Sequence, residues 1–209
     1  MSQFNKFERK FANSLDSFPV LRGYLKTYYQ FLNYLINSRS SSIDMHDLVK
    51  ISNRFADEIN FFGYYDKTPW SNLGDYLIFH KLNLETELLD IVVRDIQSNK
   101  NIVIGQSSLW NWQQGSMLQW FPGTDYIAYN KIVNTDKFGS VLVTTDGSIL
   151  NTYEYPIQSI SPCGNFFVSI NYARLALLRP DYGYSIKSSN FLKSFDLEND
   201  GLWVVDIET

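Results

Sequence analysis

Three stretches of this chain share one pattern: residues 69–80 (PWSNLGDYLIFH), 119–130 (QWFPGTDYIAYN) and 160–171 (ISPCGNFFVSIN). Each combines a short run, a turn that contains glycine, and a second run rich in aromatic and β-branched residues, which is the pattern of a β-hairpin. The turn glycines Gly74, Gly123 and Gly164 are 49 and 41 residues apart. Self-similarity at this period indicates the four-stranded blades of a β-propeller.

Further strands follow each hairpin. Third strands are predicted at residues 89–95, 139–145 and 201–207, and fourth strands at 101–105 and 148–153. The third repeat has no fourth strand, and it carries an insertion at 172–200 that is typical of an ordered functional loop. The predicted fold class is therefore mainly β, a partial β-propeller of about three blades. The blades are predicted at 59–106, 107–154 and 155–209.

About three blades do not close a ring, because propellers typically have about 4 to 8 blades. An uncapped repeat array leaves an open edge. We therefore expect these residues to be the N-terminal portion of a longer propeller. An open β-sandwich and a ring assembled from several chains are the alternatives.

The N-terminal region, residues 1–58, has a different pattern. Its apolar residues recur at helical spacing on either side of Pro19, and a linker is predicted near residues 38–43. Residues 1–39 carry a net charge of +4, whereas the whole chain carries −4. Residues 1–36 could lie on an anionic membrane surface or dock on a protein surface, and we favour docking because the Tyr-rich apolar stripe is broad.

Composition excludes several classes of protein. The net charge of −4 argues against a nucleic-acid partner, which would require an excess of Lys and Arg. The single Cys163 excludes an internal disulfide and a Cys-based metal cluster, and it suits a reducing compartment. The N-terminus lacks the pattern of a secretory signal. We expect a cytoplasmic protein, or alternatively one in peripheral contact with a membrane. We expect it to bind neither a cofactor nor a metal.

The repeat alignment indicates a polar rim. His80, Asn130 and Asn171 fall at equivalent places at the end of the second strand of each repeat, with Lys81 and Lys131 following the first two. Amide and cationic groups beside indole rings suit sugars, because aromatic faces stack on pyranose rings while polar groups bond hydroxyls. The alternative is that the Asn side chains cap strand ends and bond local backbone.

Three further groups are candidates for ligand binding. Asp66 and Lys67 should point to opposite faces of a strand, which would leave Lys67 free to bind an anion. The run of residues 110–114 (WNWQQ) should place Trp110 and Trp112 on one strand face, and Asn111 and Gln113 on the other, with Gln114 following. The two indoles would serve either as a platform for a ligand or as part of the core. Arg174 and Arg179 could hold a carboxylate or phosphate, or form surface ion pairs, and Tyr182 follows them in the insertion.

Catalytic motifs are scarce. His46 and His80, the two histidines, are too few for a metal site without further ligands, and Cys163 has no predicted base within reach. No nucleophile-elbow, Walker or dinucleotide motif occurs. We therefore predict no catalytic residues.

Several motifs together resemble one bacterial family of β-propeller proteins, largely uncharacterised, whose genes lie among those for surface-polysaccharide synthesis. The family is distantly similar to oligogalacturonate lyase and to TolB-like propellers. The resemblance covers about residues 45–209, and it implies that further blades follow residue 209. It rests on residues 61–70, 110–120, 156–157, 161–164, 171–174 and 179–184.

The resemblance and the residues together predict a non-catalytic binding or scaffold module linked to surface-polysaccharide synthesis. Its partner would be a glycan or a glycosyltransferase. The alternative is a carbohydrate-active lyase or hydrolase of the oligogalacturonate lyase type, truncated here. The metal ligands of the lyase branch would lie largely in blades that this chain lacks.

Overall fold

The computed structural model describes Tyr28 and residues 58–134, 137–184 and 201–207. Contacts divide the chain into two units, Met1–Ile51 and Ser52–Thr209, and the description below concerns the second. Apart from Tyr28, which is helical, the predicted N-terminal helices, the linker near 38–43, His46 and the membrane-contact segment 1–36 lie outside the described residues. No helix in the described part of the chain has the length and apolar character needed to span a membrane.

Three antiparallel sheets follow one another along the chain. The first is a four-stranded meander of β1 Glu58–Phe61, β2 Tyr76–Asn83, β3 Leu89–Asp95 and β4 Lys100–Ser107. The second repeats this order with β5 Gln119–Trp120, β6 Ile127–Val133, β7 Lys137–Val143 and β8 Ile149–Tyr153. The third contains β9 Ser159–Ile160, β10 Phe166–Ile170 and β11 Leu202–Asp206. The prediction of a mainly β chain is confirmed.

The three hairpins close with the same register. The amides of Ser71, Phe121 and Ser161 donate to the carbonyls of the residues five positions later, at 3.0, 2.8 and 2.8 Å. Gly74 and Gly164 are equivalent by this register, but the second hairpin has Thr124 there and its glycine one position earlier. Gly123 follows Pro122 and has φ of +71°. The turn of the second hairpin therefore differs in type from those of the first and third, although all three hairpins have the same length.

The insertion after β10 begins with a helix, α1 Tyr172–Leu178. Asn171 caps it, because its side-chain oxygen accepts from the amide of Arg174. The backbone then turns back through residues 179–184, and the amide of Tyr184 donates to the carbonyl of Tyr172. Gly183 permits this turn, since a Cβ there would lie 2.0 Å from the amide nitrogen of Ala176.

Apolar faces join each sheet to the next. Alternate strand residues of the first and second sheets, including Ile78, Val93 and Ile127, form one buried cluster. A second cluster joins the second and third sheets through Ala128, Leu142, Phe167 and others. A third, which includes the first residue of α1, contains Leu109, Met117, Tyr172 and Tyr184.

Candidate functional site

Hydrogen bonds bring several loops together at one end of the sheets. The indole N–H of Trp110, which follows β4, donates to the carbonyl of Glu87 between β2 and β3 at 2.9 Å. The side-chain amide of Asn111 donates to the carbonyl of Tyr182, after α1, at 3.0 Å. Segments that are 23 and 71 residues apart in sequence therefore meet around Trp110 and Asn111.

Residues 111–115 form a tight turn, so the predicted strand at 110–114 is wrong. The Asn111 carboxamide oxygen accepts from the amides of Gln113 and Gln114, at 3.0 and 2.8 Å, and the backbones of Asn111 and Gly115 bond each other. This local side-chain bonding competes with strand pairing and explains the turn. Gly115 has φ of +59°, which favours glycine.

The two indoles nevertheless lie together. Trp110 and Trp112 make an edge contact with ring centroids 5.0 Å apart and planes at 89°. Phe61 contacts both rings, at 6.3 and 5.6 Å. Trp110 is fixed by its hydrogen bond, whereas Trp112 is 58% exposed, so the cluster presents one indole to solvent.

A cleft of about 260 Å³ opens beside these rings, and we call it the aromatic cleft. Its lining combines indole surface, amides and one carboxylate, a set that can stack on a ring and bond hydroxyl groups. Another amide lies in the same turn: the carboxamide oxygen of Gln114 is buried and accepts no hydrogen bond from a described residue. The cleft is lined by Trp110, Asn111, Trp112, Gln113, Pro180, Asp181 and Gly183.

Asp66 and Lys67 lie in a turn, not on a strand, and the prediction that they face apart is wrong. The Lys67 ammonium contacts the Asp66 carboxylate at 3.0 Å, and the Lys67 side chain is largely buried. The pair forms because the turn lets neighbouring side chains converge. The charge of Lys67 is thus already balanced.

The same loop reaches the segment after α1. Hydrogen bonding to the hydroxyls of Tyr65 and Tyr182 raises the pKa of Tyr64 to about 12. The rings of Tyr64 and Tyr182 are 6.3 Å apart, and the Arg179 guanidinium lies 4.8 Å from the centroid of the Tyr182 ring. Arg179 therefore makes a cation–π contact, and neither it nor Arg174 lines the aromatic cleft.

His80 is fully buried, so the prediction that it lies on an exposed rim is wrong. Its Nε2 atom accepts from the amide of Ser116 at 3.1 Å and lies 2.9 Å from the Ser116 hydroxyl. Because the amide must donate, Nδ1 carries the proton. Nδ1 forms no hydrogen bond to a described residue, although the Phe61 and Phe62 carbonyls lie near the imidazole. Burial lowers the pKa of His80 to about 4, against the weaker effect of these carbonyls.

Asn130 is also fully buried and does not reach a rim. It donates to the carbonyl of Ile157 at 2.9 Å and to the hydroxyl of Tyr184 at 3.1 Å, and it accepts from the amide of Ile157 at 2.7 Å. Lys131, the next residue on β6, is partly exposed. By hairpin register the third equivalent of His80 and Asn130 is Ile170, not Asn171, whose side chain caps α1.

The structure thus groups five of the predicted residues at the aromatic cleft. Gln114 lies in the same turn, and the others lie elsewhere. Trp110, Asn111, Trp112 and Gln113 line it, and Tyr182 accepts from Asn111. Sequence reasoning missed Asp181 as a lining residue. The signal was its place in the run of residues 179–184 (RPDYGY), whose Pro and Gly predict a turn that presents its polar residue.

The described residues contain no cluster of three or more His, Cys, Asp or Glu side chains that could hold a metal ion. Comparison of the chain with protein-family models, with curated proteins and with solved structures finds no match.

Proposed function

We propose that this chain is a non-catalytic module of the β-propeller type that binds glycans in the aromatic cleft. The observation that carries the proposal is the exposed indole of Trp112, braced edge-on by Trp110 beside Gln113 and Asp181. An indole face offers a pyranose ring an apolar surface, while carboxylate and amide groups bond its hydroxyls.

Three features support a propeller arrangement. The first two sheets are meanders of the same strand order, and each sheet packs on the next through an apolar cluster. The closing hydrogen bonds of the three hairpins have the same register.

The chemistry of the cleft favours binding over hydrolysis. Glycoside hydrolysis ordinarily uses two carboxyl groups on either side of the bond that is cleaved. Asp181 is the single carboxylate among the described residues that line the cleft. The resemblance to propellers encoded with polysaccharide genes supports a role in surface-polysaccharide synthesis, with a glycan or a glycosyltransferase as partner.

Calorimetric titration tests this function. Maltohexaose, cellohexaose, chitohexaose and a hexamer of galacturonate are added in turn to the full chain. We expect at least one to bind, and Trp112→Ala to weaken binding about tenfold, the scale of one lost aromatic contact. Trp70→Ala is the matched control, because Trp70 is 45% exposed and lies outside the cleft.

Two results would contradict the proposal. One is that none of the four sugars binds at millimolar concentration. The other is that binding is equally strong in the Trp112→Ala variant. Release of an unsaturated or shortened sugar during the titration would favour the alternative, a carbohydrate-active enzyme.

A further inference from the structure

A second cavity, of about 580 Å³, lies between the second and third sheets and shares no lining residue with the aromatic cleft. This volume is within the range of small-molecule sites. Its walls come from β7, from the segment after β8, and from β10, the start of α1 and β11. The lining residues are Lys137, Phe138, Glu154, Tyr155, Pro156, Ser169, Ile170, Asn171, Tyr172, Ala173 and Trp203.

Two aromatic side chains leave much of their surface open at this cavity. Tyr155 is 40% exposed and Trp203 is 39% exposed, and their ring centroids are 5.9 Å apart. Most large aromatic side chains among the described residues of the unit are less exposed, as the buried stack of Tyr172 on Tyr184 shows. The open pair offers a platform for an apolar face of a ligand.

One serine hydroxyl at the same cavity is available to a ligand. Ser169 is 1% exposed and lines the cavity, yet its hydroxyl forms no hydrogen bond to another described residue. Two other buried serines of the unit are satisfied: Ser140 donates to the carbonyl of Tyr155 at 2.8 Å and Ser107 to that of Asn130 at 2.7 Å. A polar group of a ligand in the cavity can therefore hydrogen-bond the Ser169 hydroxyl, which both donates and accepts.

Charge at the cavity is balanced. The Lys137 ammonium contacts the Glu154 carboxylate at 2.9 Å, and Asn134 donates to the other oxygen of Glu154 at 3.2 Å. The pKa of Lys137 is raised and that of Glu154 is lowered by their mutual hydrogen bond, so both stay charged near neutrality. The described residues that line the cavity therefore carry no net charge to attract an anion or a cation.

We infer that this cavity binds an uncharged sugar residue, with its ring on Tyr155 and Trp203 and a hydroxyl on Ser169. The choice of a sugar rests on the proposed function, whereas the cavity itself rests on its own residues. An uncharged sugar combines an apolar ring face with many hydroxyl groups. The ring face would pack on Tyr155 and Trp203, and a hydroxyl would bond Ser169, while no net charge of the lining is left to pair with a charged ligand.

The test separates this cavity from the aromatic cleft. The three uncharged hexaoses are titrated into the full chain carrying Trp112→Ala, which removes the exposed indole of the cleft. We expect residual binding that falls about tenfold when Trp203→Ala is added. Adding Ser169→Ala should also weaken it severalfold, while adding Trp70→Ala should change nothing. Circular dichroism shows whether each variant is folded.

A second measurement uses the unsubstituted chain, so its result does not depend on whether the cavity variants fold. In the unsubstituted chain, the indole N–H signal of Trp203 should shift during the same titration. If sugars bind but neither this signal nor the Trp203→Ala variant responds, the cavity assignment is overturned and the proposed function stands. If no sugar binds at either place, both are overturned. Binding of decaproline that depends on Trp203, without binding of any sugar, would overturn the sugar assignment.

Discussion

His80 and Asn130 occupy equivalent positions in successive sheets, and each hydrogen-bonds the backbone of the segment that begins the next sheet. Both lie four residues after the residue whose carbonyl closes the hairpin, Tyr76 and Tyr126. His80 bonds Ser116, and Asn130 bonds Ile157 through both its donor and its acceptor. One position in the repeat thus fastens each sheet to the next with a buried polar side chain.

Asn130→Ala should destabilise the unit by about 3 kcal/mol, because it leaves the buried amide and carbonyl of Ile157 without partners. Urea denaturation measures the free energy of unfolding. Asn165→Ala is the control, since Asn165 is exposed and its side chain forms no hydrogen bond to a described residue. Equal midpoints for the two variants would show that Asn130 does not fasten the sheets.

The stability of the unit should decrease in acid because of His80. The folded pKa is about 4 and the ordinary value is 6.5, so the unfolded chain binds the proton more readily. The contribution of neutral His80 to the free energy of unfolding is therefore fully present above pH 6.5, and it is lost as the pH falls towards 4. At 1.36 kcal/mol per pKa unit, this loss amounts to about 3 kcal/mol.

His80→Gln supplies the control for this pH dependence, because glutamine can accept from the Ser116 amide but does not titrate. We expect the free energy of unfolding of the variant to change less between pH 7 and pH 4.5 than that of the unsubstituted chain. Identical pH profiles would mean that His80 is accessible to protons in the folded state.

Gly115→Ala should destabilise the turn that carries Trp112. A Cβ at this position would lie 2.2 Å from Cε1 of His80, whose ring is backed by Phe61 at 5.0 Å. Gly74→Ala has a similar backbone strain, with φ of +77°, but no atom within 4 Å. Thermal unfolding should show a loss for Gly115→Ala that is about 2 kcal/mol larger than for Gly74→Ala. Equal losses of stability in the two variants would indicate that backbone strain alone, without a clash against His80, causes the destabilisation.

Trp112 and Trp120 should respond differently to truncation. Trp112→Ala should leave the free energy of unfolding nearly unchanged, because the ring is largely exposed. Trp120 packs against the first core cluster and donates to the Pro69 carbonyl at 3.0 Å, so Trp120→Ala should cost about 3 kcal/mol. Denaturant titration of both variants checks this, and a large loss for Trp112→Ala would assign that ring to the core.

The strands were predictable because their signal is local. Residues 89–95 include the β-branched run Ile91, Val92 and Val93, and the strand occupies the predicted range. The predicted hairpins recur with the same register, although glycine occupies different turn positions. Such patterns depend on neighbours in sequence, which a single chain displays directly.

The site was harder to predict because it depends on distant contacts. Trp110, Asn111 and Trp112 alternate like a strand, yet the hydrogen bonds of Asn111 within its own turn and to Tyr182 decide the conformation. The burial of His80 follows from the packing of a second sheet on the first, which its place in β2 does not reveal. Asp66 and Lys67 pair because their loop turns there.

The most direct test of glycan binding is the indole region of the nitrogen–proton spectrum of the full chain, recorded while each hexasaccharide is added. The chain has five tryptophans, which are assigned by substitution. The account predicts that the Trp112 signal shifts with saturation, while that of Trp120, whose N–H is bonded to Pro69, stays in place. A Trp112 signal that does not move with any of the four sugars would contradict the account.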